Sequence, residues 1–540
     1  MNSPPQWSRT RPTVVGLRAA VASAHPLASQ VGFDILRRGG NAVDAAIATA
    51  IALGVVEPYM SGVGGVGFLL LHLANGQSRV LNFCGNAPSR ATPEQFNLVT
   101  RELGPRASMI PGNVAGWSEA LRCHGTLRFD QVLQPAIELA AEGFGLHPFN
   151  VDLIRSSLPR LNPAGRQVWG HVPLRIGAKL QQPDLACTLQ SLAAEGPEWF
   201  YRGPFAQKLH QFMEAEGGLM TADDLASYHP DWEEPLECSY RGFKVRTCPP
   251  NNEGFQILQT LRLLEPENLG ALGHNSADYV HVVSEAAKLA IADRIQYAGD
   301  PRHHPVPVDW LLSSPYIEQR RTLLQRSQAS RSEGERWNGG VAATVVPPGS
   351  RMGSTTHLSV VDEAGNVASI TQSLGHGFGS GCVVPGTGVA LNSFCYWCEI
   401  DPACPTPNLI APGKRWAACM APVQVFQEDG RFWFSVSTPG SYGILHTTLQ
   451  MLLNVIDFGA DLQAAIDAPR FRLWEGTRMQ IENRFPTTVL RQLSQLGHHL
   501  EMIGDFNFVV GGGQGVMIDR ESGTRLAGAD PRRDGYALAW

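Results

Sequence analysis

Apolar residues recur at helical spacing through the first half of the chain and give way to strand-like runs in its last third. Over residues 25–38 they fall at Leu27, Val31 and Ile35, one face of a helix that Gly39 and Gly40 stop. Asn41 reads as an N-cap, with Asp44 as its acidic first-turn partner. The helix it opens, 42–55, is apolar on nearly every side, as a buried helix is. Helical periodicity returns over 129–142, 184–194, 204–216, 254–264, 277–297, 447–455 and 486–496, and residues 110–117 lead into a further helix. Strands are expected at 68–72, from Asn82 toward a turn at Arg90, and at 244–248 after a hairpin turn over 240–243. Two more, 358–361 and 367–372, flank a turn at 362–366. Residues 325–351 are polar, aperiodic and rich in Gly, Pro and Arg, and read as a linker or surface loop.

Composition narrows the class. A chain of 540 residues with 43% hydrophobic and 17% charged residues is well buried and too long for one small domain. The 56 glycines and 38 prolines are spread along it, so many tight loops are expected. A net charge of -6 argues against nucleic acid or an anionic membrane as partner. The most apolar run, 45–56, is about a dozen residues, too short to span a bilayer, and the polar residues 1–12 lead into no signal-type apolar segment. A cytoplasmic location with reduced thiols is the expectation.

Cys84, Cys187 and Cys248 sit in apolar, strand-like settings and are expected to be small buried hydrophobes. Cys395 and Cys398 form a CxxC with Cys404 and Cys419 nearby, but there is no second CxxC and no His pair at ligand spacing. A loop with incidental thiols is expected there, and no metal or other cofactor. The glycine-rich stretch 62–67 precedes a strand instead of following one, which sets aside a dinucleotide fingerprint.

The chemistry points to Gly353-Ser354-Thr355-Thr356-His357, at the edge of the 358–361 strand. A threonine there becomes a nucleophile if the peptide bond before it is cut. The freed α-amino group, with a pKa near ~8, lies on the same residue as the hydroxyl, so one residue supplies nucleophile and base. Locally, the same residues also suit an ordinary turn before a strand.

Several stretches in order resemble the γ-glutamyltransferase family of N-terminal-nucleophile hydrolases. They are residues 20–28, 39–46, 62–67, 111–117, 355–362, Pro439-Gly440-Ser441 and 528–535, which together cover nearly the whole chain. The resemblance implies an α+β fold, a four-layer αββα sandwich made as a proenzyme. It implies a cut between Ser354 and Thr355 into a large, helix-rich subunit, 1–354, and a small, strand-rich one, 355–540, forming one intertwined unit. It leaves room for a homodimer of such heterodimers. Thr355 would attack the amide carbonyl of a small-molecule substrate. Ser373, where the family has Thr, would hold the amine, and the backbone N–H groups of Gly440 and Ser441 would form the oxyanion hole.

The chain departs from the family where glutamate is recognised. The Arg that grips the α-carboxylate falls on Pro93, with Arg90 nearby. A serine pair falls on Ala418 and Cys419, and the amino-group ligands fall on Phe394 and Trp397. A zwitterionic glutamyl group would bury its charges without partners. The expectation is therefore an amidohydrolase or acylase, of the kind represented by cephalosporin acylases and oxamate amidohydrolase. Its substrate-binding candidates are Arg90, Phe394, Trp397 and Cys419. Phe394, Tyr396 and Trp397 suit either an apolar or aromatic acyl group or core packing, and His376, Lys414, Arg415 and Arg90 are candidates for one anion contact. A true γ-glutamyltransferase or glutathione hydrolase, and an unprocessed pseudoenzyme, stand as alternatives.

Overall fold

The computed structural model describes residues 7–331, 354–404, 406–474 and 476–540. Gly353 and, from residue 332 onward, the expected linker lie outside them. The helix Ala42–Val56 forms as its sequence dictates. The Asn41 side chain accepts from the amides of Val43 and Asp44, and Asp44 accepts from the Asn41 amide at 2.9 Å. Every residue of that helix is buried. Helices Phe129–Glu142, Pro204–Glu216 and Ala277–Tyr297 keep the bounds read from periodicity.

Two seven-stranded antiparallel sheets carry the fold. The first runs Val14–Gly16, Arg525–Ala529, Gln514–Ile518, Phe432–Ser437, Val423–Phe426, Phe243–Thr247, Leu236–Tyr240. The second runs Tyr536–Ala539, Ala20–Ser23, Ser354–Val361, Val367–Gly375, Val66–His72, Ser78–Phe83, Asp231–Glu233. Helices including Pro26–Arg37, Ala42–Val56 and Phe129–Glu142 cover the second sheet in one core with Leu358, Val360, Ala368 and Ile370. Helices Phe255–Leu264, Ala277–Tyr297 and Gly443–Ile456 cover the first, against Val245, Val425, Phe434 and Val436. Ala20, Ala22, Val361, Val367, Phe426, Phe432 and Val516 pack between the sheets. The layers are therefore helix, sheet, sheet, helix, the expected αββα sandwich.

Two central strands outrun the expectation. They span Ser354–Val361 and Val367–Gly375, so the polar run at 354–357 is strand, not turn. The helices Pro163–Trp169 and Ser314–Arg321 lack enough turns to show a period, and neither they nor Pro148–Ser157 were expected. Cys187 corrects an expectation: it is exposed on the helix Pro183–Glu195, whose buried face carries Leu185 and Leu189. Cys84 and Cys248 are buried as expected.

Behind the sheets, Asp530, Arg532, Arg470 and Glu482 form a buried charge cluster. Arg532 binds Glu482 at 2.7 Å and Asp530 at 3.2 Å, and Arg470 pairs with Asp530. Burial alone would raise the Asp530 carboxyl. The two guanidiniums and the amides of Arg532 and Gly513 instead hold it down at about 2. Its folded pKa lies below the unfolded value near ~3.9. Its stabilisation, about 2–3 kcal/mol, is thus complete above that value and is lost as pH falls toward 2. Asp530→Asn should cost about 3–5 kcal/mol by stranding Arg470, and should remove this acid-limb slope from denaturant unfolding measured across pH. A variant as stable as the wild type would refute the assignment.

Candidate active site

The strands Ser354–Val361 and Val367–Gly375 pair so that Thr355 lies opposite Ser373, with an irregularity between Ser354 and Thr355. Alternation then puts Thr355, His357 and Ser359 on the face toward the first sheet, and Thr356 on the face toward the helix Ala42–Val56. The Thr355 hydroxyl donates to Ser373 Oγ at 3.1 Å. Ser373 Oγ in turn donates to the carbonyl oxygen of Ser354 and accepts from the Gly375 amide at 2.9 Å. The Ser354–Thr355 peptide bond therefore carries a hydroxyl on each side: that of Thr355 on its C-terminal residue and that of Ser373 as a donor on its carbonyl. Both hydroxyls are buried.

Two charged residues hold this strand end. Arg533 Nη1 donates to Thr355 O at 2.9 Å, and the Thr356 hydroxyl donates to Glu57 Oε2 at 3.0 Å. Burial pushes the Glu57 carboxyl up to about 7, against the opposing pull of Arg533 and the Thr356 hydrogen bond. Burial likewise lowers the Arg533 guanidinium. His357, between Thr371 Oγ1 at 2.9 Å and Ser359 Oγ at 3.1 Å, is lowered by burial to about 3 and stays neutral. Sequence reasoning missed Glu57 and Arg533. Arg533 lies within the matched 528–535 stretch, and Glu57 is an acid at the end of an otherwise apolar helix, which is the signal each offered.

The turn Pro439-Gly440-Ser441 follows the first-sheet strand Phe432–Ser437. Gly440 takes φ +134° and Ser441 φ +57°, and among the described residues neither amide donates a hydrogen bond. Such orphan donors ahead of the helix Gly443–Ile456 favour an oxyanion. The turn reaches Thr355 through a short relay. Gly440 lies against Gly511, the Gly512 amide donates to Thr438 Oγ1 at 2.7 Å, and Gly512 packs on the Arg533 side chain that grips Thr355.

The expected substrate residues divide. A Cβ on Gly375 would lie 3.2 Å from the Trp397 ring, so Trp397 adjoins the Ser373 site. Phe394 stacks on Trp416 at 4.5 Å and 18°, with Trp397 5.5 Å away, as part of the core. Cys419 is buried near the Glu253–Arg294 pair, whose guanidinium lies 4.2 Å over the ring of Tyr442, the residue after Ser441. Arg90 is exposed on a turn, and no described contact joins it to this group. Arg415 is engaged by Asp231 at 2.5 Å and Glu233 at 3.5 Å. His376 lies 3.7 Å from Glu102, and Lys414 donates to Leu409 O at 2.7 Å.

Cys395 and Cys398 are buried, and burial raises both thiols, which disfavours the thiolate a metal needs. His281, Glu285 and His498 each offer an atom within 4.8 Å of one another. The buried Lys288 ammonium already holds that carboxylate at 2.7 Å. A cavity of about 640 Å³ lies among the turns at Gly76, Gly365 and Gly430, at the opposite end of the central hairpin from Thr355.

Residues 28–540 match the family model described as Gamma-glutamyltranspeptidase. The chain is 37% identical to the Acylase ACY 1 proenzyme of Pseudomonas sp. (strain SE83), over 97% of this chain and 94% of that protein. It is 33% identical to the Glutathione hydrolase proenzyme of Bacillus subtilis (strain 168), over 99% and 94%. The solved structure of a cephalosporin acylase from Bacillus halodurans superposes with a TM-score of 0.88 at 33% identity, covering 100% of this chain and 99% of that one.

The hydroxyl pair around the Ser354 carbonyl makes a direct prediction. Purified wild type should resolve on a denaturing gel into two fragments, and Thr355→Ala should remain a single band near 58.6 kDa. Ser373→Ala, which loses the donor on the Ser354 carbonyl, should slow fragmentation about 10²-fold or more. Wild-type cleavage speed in Ser373→Ala would rule that role out.

Proposed function

Because the chain belongs to the γ-glutamyltranspeptidase family, we propose that it is a self-processing acylase whose nucleophile is Thr355. The single observation that supports this most is the arrangement at the Ser354–Thr355 bond, with Thr355 Oγ1 on Ser373 Oγ at 3.1 Å and Ser373 Oγ on the Ser354 carbonyl.

In the first step Thr355 Oγ attacks the Ser354 carbonyl carbon, and the C–N bond opens to leave an ester and a free α-amine. Water then hydrolyses the ester and releases fragments 1–354 and 355–540. In the second, recurring reaction the α-amine takes the hydroxyl proton as Thr355 Oγ attacks a substrate amide. The amides of Gly440 and Ser441 receive the developing oxyanion. The proton passes to the leaving amine, and water frees the acyl group from the Thr355 ester. Ser373 steadies the amine throughout. Arg533 and Glu57, which bind Thr355 O and the Thr356 hydroxyl, are positioning residues.

The residues at the positions where the family recognises glutamate favour an acylase over a glutathione hydrolase. Ala418, Cys419, Phe394 and Trp397 are buried and offer no side-chain pair for an α-amino and α-carboxylate group. Stranding those charges costs at least a few kcal/mol. A panel of amides assayed with the fragmented enzyme tests this: oxamate, aromatic acyl amides, β-lactam side-chain amides and γ-glutamyl-p-nitroanilide. The expected outcome is kcat/KM at least ~10²-fold higher for the best non-glutamyl amide than for the γ-glutamyl one. Preferred turnover of γ-glutamyl-p-nitroanilide would restore the glutathione hydrolase reading. Faster amide loss with added amine acceptors would mark a transferase.

A further inference from the structure

The glycine-rich stretch Gly62-Val63-Gly64-Gly65-Val66-Gly67 has no part in the site so far. None of its four glycines takes a left-handed φ, so backbone conformation does not demand glycine at any of them. Close contact does. A Cβ on Gly64 would lie 2.2 Å from the Ala390 carbonyl oxygen, and one on Gly65 would lie 2.6 Å from the Ser373 carbonyl oxygen. One on Gly67 would lie 2.5 Å from the Phe83 ring, whereas one on Gly62 would meet nothing closer than 3.8 Å. Gly65 is thus the glycine against which the backbone of Ser373 rests.

The stretch is tied down and has little freedom to retreat. The Gly65 carbonyl accepts from the amides of Gly112 and Asn113 at 2.9 and 3.0 Å, where the chain enters the helix Asn113–His124. Asn113 Nδ2 donates to Gly62 O at 2.7 Å, and the Gly65 amide donates to the same oxygen at 3.0 Å. Asn392 Nδ2 donates to Gly64 O at 2.9 Å. From Val66 the chain continues as the strand Val66–His72, in which Val66 pairs with Ser373. Asn113 and Asn392 are both fully buried. Pulling the stretch away would leave buried donors and acceptors unpaired, each at a substantial cost.

Ser373 is therefore what a side chain at residue 65 would move. Its Oγ donates to the Ser354 carbonyl oxygen and accepts from the Thr355 hydroxyl at 3.1 Å. A methyl on Gly65 reaches ordinary contact only when the Ser373 carbonyl has receded from 2.6 to 3.4 Å. A misplacement approaching ~1 Å is of the size that costs about 10²-fold in rate. We propose that Gly65 is a positioning residue: bare of a side chain, it lets the anchored stretch seat Ser373 against the Ser354–Thr355 bond. This rests on the reading of Ser373 as the hydroxyl that serves that bond, and extends it to the wedge behind it.

Fragmentation of freshly translated precursor, followed on denaturing gels, tests the proposal. Urea midpoints are measured alongside in a Thr355→Ala background that cannot fragment. Gly65→Ala should slow fragmentation about tenfold or more. Gly62→Ala should fragment at close to wild-type speed, and Gly64→Ala should lose stability without comparable slowing. In enzyme that has fragmented, the acid limb of kcat/KM on the best amide of the panel reports the Thr355 α-amine. That limb should move to lower pH in Gly65→Ala, as in Ser373→Ala, because the ammonium loses an acceptor. It should stay in place in Gly64→Ala. If Gly65→Ala does not fold, Asn113→Ala, which loosens the anchor without adding volume, carries the same expectations. Three outcomes would overturn the inference: wild-type fragmentation speed in the folded variant, equal slowing in Gly64→Ala at equal loss of stability, or an acid limb that moves in Ser373→Ala alone. Wild-type fragmentation speed in Ser373→Ala would instead remove the reading beneath it.

Discussion

The central strands Ser354–Val361 and Val367–Gly375 are covered on both faces, so each polar side chain in them must find its partner inside the protein. An unpaired buried donor or acceptor costs about 1–3 kcal/mol. Seven hydroxyl or imidazole side chains of these strands make described hydrogen bonds to one another or to the flanking layers. Thr355 meets Ser373, Thr356 meets Glu57, His357 meets Thr371, and Ser369 meets Ser435 of the other sheet at 2.7 Å. The requirement that stabilises the sandwich is the same one that orients the candidate nucleophile. Few rotamers of Thr355 are compatible with it, which is the preorganisation that amide attack needs.

This constraint also explains what could be read from the sequence. A helix such as Ala277–Tyr297 declares itself through its period, and Ala42–Val56 through its cap. The polar start of the strand Ser354–Val361 does not, because Ser354 to His357 have neither the alternation of a half-exposed strand nor the apolar run of a buried one. Thr355, Ser373, Gly440 and Ser441 were expected from ordered motifs, and the pairing of Thr355 with Ser373 follows from the strand register. Glu57 and Arg533 were not, since their partners lie 299 and 178 residues away in the chain. Cys187 was misread because Leu185 and Ala186 lend it an apolar setting although the helix turns it outward.

Electrostatics divides the molecule by function. The Arg470–Asp530–Arg532–Glu482 cluster is saturated, each charge facing its opposite, and it anchors the loop that delivers Arg533. Around the strand end, balance is withheld. Glu57 is pushed up to about 7 by burial, against the pull of Arg533 and the Thr356 hydrogen bond. A buried carboxyl held this far up beside the candidate nucleophile differs from Asp530, and strongly shifted groups gather at functional sites.

Both sheets draw strands from either side of the Ser354–Thr355 bond. In the first, Val14–Gly16, Leu236–Tyr240 and Phe243–Thr247 lie beside strands from the last third of the chain, and in the second Ser354–Val361 pairs with Ala20–Ser23. A break at that bond would leave the pairing of residues 355–361 with 367–373 in place, so the folded molecule would scarcely register it. The unfolded state would change completely, because two separate chains would have to find one another before either sheet could close. Refolding would pass from first order to second order in protein. A fold assembled once as a single chain would thereafter persist by the height of its unfolding barrier, and its lifetime would be a kinetic property instead of an equilibrium one.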